Sequence, residues 1–223
     1  MDETNSRSLW LTGDEAADAL LGSDPNALLL GMVLDQQDRM EKAFAGPALI
    51  AERLGGSLDV HRIAGMDTDE FIALCSGPPA IHRFPKSMAR RVQDVCRVLV
   101  EQYDGDAANL WRDAPDGVAV RKAIMSLPGF GAQKASIFTA LLGKQYGLTV
   151  PGWREAAGDY GTDGFRSVAD VTDLASLERV RQTKRDAKQA AKAAAGAKAG
   201  PATKAKPAAK AKPATRAKPG AKR

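Results

Sequence analysis

The chain has 223 residues, 44% hydrophobic and 26% charged, and the formal net charge is +5; this is the balance of a globular protein rather than a fibre or a membrane bundle. No run of 18 apolar residues occurs, so no membrane span is predicted, and the opening MDETNSRS lacks the basic-then-apolar layout of a signal peptide. Cys75 and Cys96 are the only cysteines, which excludes a four-cysteine metal site and reads as two buried free thiols of a cytoplasmic protein.

The predicted elements are helical from the start. Ser23-Asp24-Pro25 is a cap followed by Pro at a first helical position. It opens NALLLGMVLDQQDRMEKAF, apolar almost all round to Leu34 and polar after it, which predicts a central helix. Gly46-Pro47 is expected to break that helix, with a short one following over 48–56. Another starts at Asp67-Thr68-Asp69-Glu70 and carries FIALC. Pro85 opens KSMARRVQDVCRVLVEQY, where Met88, Val92, Val95, Cys96, Leu99 and Tyr103 form one stripe. Asp106 begins AANLWRD, Val118 to Met125 forms a helix, and Gln133 to Tyr146 forms the next. No stretch alternates with a strand's period, so the fold class is all-α, built of short helices and short loops. Residues 1–172 form this helical domain. Residues 173–195 read as a helix running out of it, rich in Ala and Lys and without an apolar stripe after Val180.

Residues 196–223 differ in kind. From Lys204 a six-residue period runs KAKPAA, KAKPAT, RAKPGA, with Lys-Pro steps that forbid a continuous helix and almost nothing to bury, so a disordered tail is expected. From Ala187 onward there are 11 Lys plus Arg and no carboxylate; residues 1–186 then hold 21 basic against 27 acidic side chains, a net of −6. An acidic body carries a basic tail, suited to sequence-independent phosphate contacts, whose affinity falls steeply with salt. RNA, another acidic polymer or a solubilising role without a partner are the other readings of the tail.

Between the helices at 118–125 and 133–146 stands Leu127-Pro128-Gly129-Phe130-Gly131. Its breakers make a tight turn; the glycines permit positive φ and let a ligand approach the backbone. The free amides of the second helix's N-terminus favour an anion there, and Lys134 in its first turn is expected to reach a phosphate oxygen. Leu127 and Phe130 anchor the turn. The arrangement suits a nucleic-acid backbone held without reading sequence; a plain helix–helix turn is the alternative.

At these residues the chain resembles the helix-hairpin-helix DNA glycosylases of base-excision repair, the HhH-GPD superfamily. Where the family has a segment like REELLSLPGVGRKTA, this chain has VRKAIMSLPGFGAQKA; HRFPKSMARRVQDVCRVLVEQYDGD (82–106) and LLLGMVLDQQ, ending in Asp35-Gln36-Gln37, match two further segments in the family's order. The match covers roughly residues 25–160. The resemblance implies a two-lobed all-α fold that binds damaged double-stranded DNA across its cleft, flips a base out and cuts its N-glycosidic bond. It makes Gln37, or else Gln36, the side chain that fills the gap in the stack.

Two departures bear on the chemistry. Lyase-competent relatives have Lys at the hairpin's seventh position; here it is Gln133, with Lys134 rotated about 100° away on the helix, so no β-lyase activity is expected. The family's essential Asp falls at Pro151, which has neither charge nor acceptor. Glu155, and after it Asp159, are the nearest substitutes; both also fit plain surface residues. No iron–sulfur cluster or other metal or cofactor is expected. His82, Arg83 and Lys86 read as phosphate contacts or as surface residues, and Trp153-Arg154 as a base-stacking pair or as loop packing. Three functions remain open: a monofunctional glycosylase, a non-catalytic binder of distorted DNA, and a nucleoid-associated protein driven by the tail. A monomer in the cytoplasm, associated with the nucleoid, fits all three.

Overall fold

The computed structural model describes residues 8–198, and these form ten α-helices and three short 3₁₀ turns with no strand among them. The fold is all-α. The tail at 199–223 lies outside the described residues, and with it most of the predicted disordered segment. The chain divides into two units between Arg185 and Asp186, and the helical body is the first of them.

Helix α1 (Glu15–Ser23) starts at Asp14, whose carboxylate accepts from Ala17 N–H at 2.8 Å. Buried Asp18 holds the preceding segment by accepting from the N–H groups of Leu11, Thr12 and Gly13. Helix α2 (Pro25–Leu34) is the central one: every residue from Ala27 to Leu34 is buried, as its all-round apolar sequence predicts.

The helix boundaries after it differ from the sequence expectation. α2 stops at Leu34: its C-cap Asp35 already leaves helical backbone at φ −70°, ψ 71°, and Gln37 beyond it takes a left-handed φ of 59°. Helix α3 (Met40–Arg53) then runs straight through Pro47. A proline there removes one intrahelical hydrogen bond, but tight packing holds this turn: a Cβ on Gly46 would collide with the Leu34 side chain. The close approach of α2 and α3 explains the glycine of the Gly-Pro pair.

Helices α4 (Val60–Gly65) and α5 (Thr68–Ser76) lie on α6 (Pro85–Gln102). Buried Gln93 of α6 clamps them, donating to the carbonyls of Ile63 and Met66 and accepting from the Thr68 hydroxyl. A second group consists of α7 (Gly117–Met125), α8 (Ala132–Gln145) and α9 (Trp153–Ala157). Trp111, just after the 3₁₀ turn Ala107–Leu110, meets Phe138 and Tyr146 of this group edge-on at 6.1 and 6.2 Å. Helix α10 (Leu174–Lys198) buries Leu177 and Val180 and ties back to α3 through Arg181, which reaches Glu41 at 2.6 Å.

Candidate functional site

The turn between α7 and α8 is built as its residues require. Leu127 accepts the N–H of Phe130 at 3.1 Å across Pro128 and Gly129, and Gly129 has φ 83°; Pro second and a left-handed Gly third is the type II arrangement. Leu127 and Phe130 are buried, and Phe130 packs on Phe138. Gly131 caps α8 without a side-chain bond, exposed, with open space where a Cβ would stand. The first amides of a 14-residue helix are thus presented at an unobstructed surface.

Across from the hairpin lies the loop that ends α2. Gln37 is exposed at its tip, with no side-chain partner among the described residues. Gln36 is engaged: its Oε1 accepts from Arg91 of α6. The stem of Arg91 also lies where a side chain on Gly129 would go, so one arginine touches both the hairpin and the loop.

The segment 82–84 braces this loop. His82 is buried, its Nε2 facing the Gln36 carbonyl at 2.9 Å and its Nδ1 facing the Phe84 N–H at 3.0 Å. The Phe84 N–H can only donate, so Nδ1 is unprotonated and Nε2–H donates to Gln36. Burial accordingly lowers the His82 pKa, against the pull of Asp38 and of the Gln36 carbonyl. Arg83 donates to the Gln37 carbonyl at 3.1 Å and, through its own N–H, to the Asp38 carboxylate at 2.7 Å. Partial burial works against the Asp38 charge, but the N–H groups of Arg83 and Arg39 outweigh it and hold the pKa below the usual carboxylate range. His82 is therefore a brace rather than a phosphate contact. Phe84, overlooked in the sequence, is 44% exposed beside the loop with Arg83 stacked on it at 4.7 Å.

Lys134 is not aimed outward as the sequence suggested. Its Nζ donates to the Val33 carbonyl at 2.9 Å and lies 5.4 Å from the Phe130 ring, so it bridges from α8 to the C-terminal end of α2. Burial pushes its pKa down to about 8, against the attraction of Asp35 and with help from Arg91. Asp35, half-buried at the end of α2, is shifted the other way: burial raises its pKa, and Lys184 and Lys134 oppose the rise. Asp35 also lines a cavity of about 210 Å³ with Met40, Glu41, Leu177, Val180, Arg181 and Lys184.

The other side of the hairpin is sparser. Gln133 donates to the Tyr160 hydroxyl at 2.8 Å. Pro151 is exposed and its carbonyl accepts from Gly117 N–H at 2.9 Å, pinning the loop to α7. Glu155 is exposed in the first turn of α9 and reaches back over Gly152, without a hydrogen-bond partner among the described residues. Asp159 is exposed as well. Trp153 packs its ring against Gly143, with Arg154 stacked on it at 4.6 Å, which is loop packing.

The family model described as HhH-GPD superfamily base excision DNA repair protein matches residues 30–199. The chain belongs to the HhH-GPD superfamily. No curated protein and no solved structure matches it. The matched span takes in the loop at 35–38, α6, the hairpin and α8, so the exposed hairpin is the helix-hairpin-helix of a base-excision DNA repair family whose members bind DNA. Within the HhH-GPD fold, Asp35, Arg91 and Phe84 are the residues that the sequence did not single out. Asp35 stood directly before the glutamine pair, and Arg91 sat one turn from the stripe of α6, but neither has a pattern that marks it.

Proposed function

We propose that this HhH-GPD protein is a monofunctional DNA glycosylase that hydrolyses the N-glycosidic bond of a damaged or mispaired base. The observation that carries the reading is the pairing of an exposed hairpin with an exposed, unpartnered Gln37 on a braced loop, linked through Arg91. The free amides at the N-terminus of α8, from Gly131 to Lys134, hold a backbone phosphate. Gln37, pre-set by its left-handed backbone, enters the gap left by the extruded base, and exposed Phe84 stacks beside it. Gln133 in place of a lysine leaves no amine for a Schiff base at that position. The tail adds sequence-independent phosphate contacts to an acidic body, and the protein works as a nucleoid-associated monomer in the cytoplasm.

The test is incubation of the full chain with duplexes carrying uracil, hypoxanthine, alkylated purines, oxidised guanine or mismatches, followed by alkaline cleavage. Excision of one of them, reduced by Gln37→Ala, is the expected result. A second reading has one specific observation behind it: Pro151 offers no acid. Absence of excision across the panel, with retained preference for damaged over intact duplex, would make the protein a non-catalytic binder of distorted DNA.

A further inference from the structure

Glycosidic hydrolysis passes through a sugar that carries positive charge at C1′ and O4′, and an enzyme for it needs an anion facing that charge. The loop at Pro151 supplies none, and Glu155 and Asp159 stand in open solvent, where a carboxylate's field is weakest. The carboxylate at the end of α2 stands in a different setting. Asp35 ends the central helix two residues before Gln37, half-buried, and lines the cavity of about 210 Å³ against α10. Leu177, Val180 and Met40 give that cavity apolar walls, and Asp38, Arg39, Glu41, Arg181 and Lys184 give it polar ones; the Asp38 carboxylate is already taken up by the N–H groups of Arg83 and Arg39. Lys134 crosses from the hairpin helix to the Val33 carbonyl, beside Asp35. A residue that bridges the hairpin to the end of α2 fixes the acid relative to the phosphate site.

We infer that Asp35 is the catalytic carboxylate of this protein, with Lys134 positioning it, and that the extruded nucleoside enters the cavity between the 35–41 segment and α10. The inference rests on the glycosylase reading. In the step, the C1′–N bond breaks and its electron pair leaves with the base. The Asp35 carboxylate faces the resulting cation. A water oxygen bonds to C1′, Asp35 accepts the water's proton, and that proton passes through solvent to the nitrogen of the departed base. One water is consumed, and a free base and an abasic sugar are formed. Asp35 must be ionised for this. The groups acting on it are Lys134 from α8, Lys184 from α10, Glu41 from α3 and His82 from the bracing segment, and Asp38, Arg39 and Arg181 line the same cavity; the lysines favour the charge and Glu41 opposes it. Lys134 acts through Asp35 and not on substrate, since its ammonium is bound to a backbone carbonyl.

The test does not depend on knowing the lesion. Two duplexes are compared as ligands of the full chain: one with a cationic pyrrolidine abasic analogue, one with neutral tetrahydrofuran at the same position. The wild type is expected to prefer the cation by about tenfold or more. Asp35→Asn is expected to lose that preference while keeping its affinity for the neutral duplex and its thermal midpoint; Asp35→Glu keeps part of it, and Glu155→Gln and Asp159→Asn keep all of it. Lys134→Gln is expected to shift the acid limb of the preference to higher pH, which a purely structural bridge would not do. A wild type without the preference, or an Asp35→Asn variant that retains it, overturns the inference; loss in Glu155→Gln instead transfers the role to Glu155. Should Asp35→Asn fail to fold, Asp35→Glu and the Lys134→Gln pH shift decide. Cation preference without excision on the lesion panel would sink the glycosylase reading and with it the catalytic role, leaving Asp35 only as the group that faces the cation; excision without cation preference would sink the Asp35 assignment and leave the glycosylase reading standing.

Discussion

At the residue scale, function turns on a few backbone and side-chain states. Gly129 stands at φ 83° with Arg91 against it. Gly129→Ala is therefore expected to cost about 1–3 kcal/mol, read by denaturant unfolding, and to weaken duplex binding beyond what the lost stability explains. Phe84→Ala removes an exposed ring and should leave stability nearly unchanged while weakening damaged-duplex binding by about 1–3 kcal/mol, measured by fluorescence anisotropy. Gln133 in place of a lysine, with Lys134 bound to Val33, predicts no borohydride-trapped adduct with abasic DNA and no strand cleavage without alkali; a trapped adduct would contradict the monofunctional assignment. Burial pushes the Cys75 thiol up to about 12 and the Cys96 thiol up as well, so native alkylation of both should be far slower than after unfolding.

At the element scale the pH dependence belongs to the brace at 82–84. The His82 pKa is lower in the fold than its ordinary value of about 6.5. The unfolded chain thus binds this proton more readily, and the contribution of His82 is present above about pH 6.5 and lost as pH falls through the folded pKa. Acidification from about pH 7.5 to about 5 should lower the thermal midpoint of the wild type more than that of His82→Asn. The Asp38 contribution is separate: its pKa is lowered, so its stability is present above about pH 4 and lost below it. Most helices were legible because their apolar spacing and caps act locally, as with Asp24-Pro25 at α2 and the stripe of α6. The misread boundary at Pro47 was not local: what holds α3 through it is the contact of Gly46 with Leu34, a neighbour known only once α2 and α3 are packed. The hairpin was legible for the same local reason, since Pro128 and Gly129 specify their own turn. The direction of Lys134 and the partial burial of Asp35 were not, because each depends on where the end of α2 falls relative to its neighbours.

At the scale of the whole molecule, charge is divided: residues 1–186 carry a net of −6, and the remaining 37 carry 11 basic side chains and no acidic ones. An acidic HhH-GPD body should repel a polyanion at long range and hold it only where the hairpin amides, Arg83 and Arg91 are presented. Removing residues 187–223 is accordingly expected to reduce the slope of log affinity against log salt by several units, while the preference for damaged over intact duplex survives. The measurement that tests the central claim most directly is that preference in the full chain: equilibrium binding to a duplex with one abasic site and to the same duplex intact, at one salt concentration, for the wild type, Gln37→Ala and Gly129→Ala. The wild type is predicted to favour the abasic duplex by about tenfold or more, with Gln37→Ala losing the preference and Gly129→Ala losing affinity for both. Equal binding of the two duplexes by the wild type, unchanged in both variants, would contradict it.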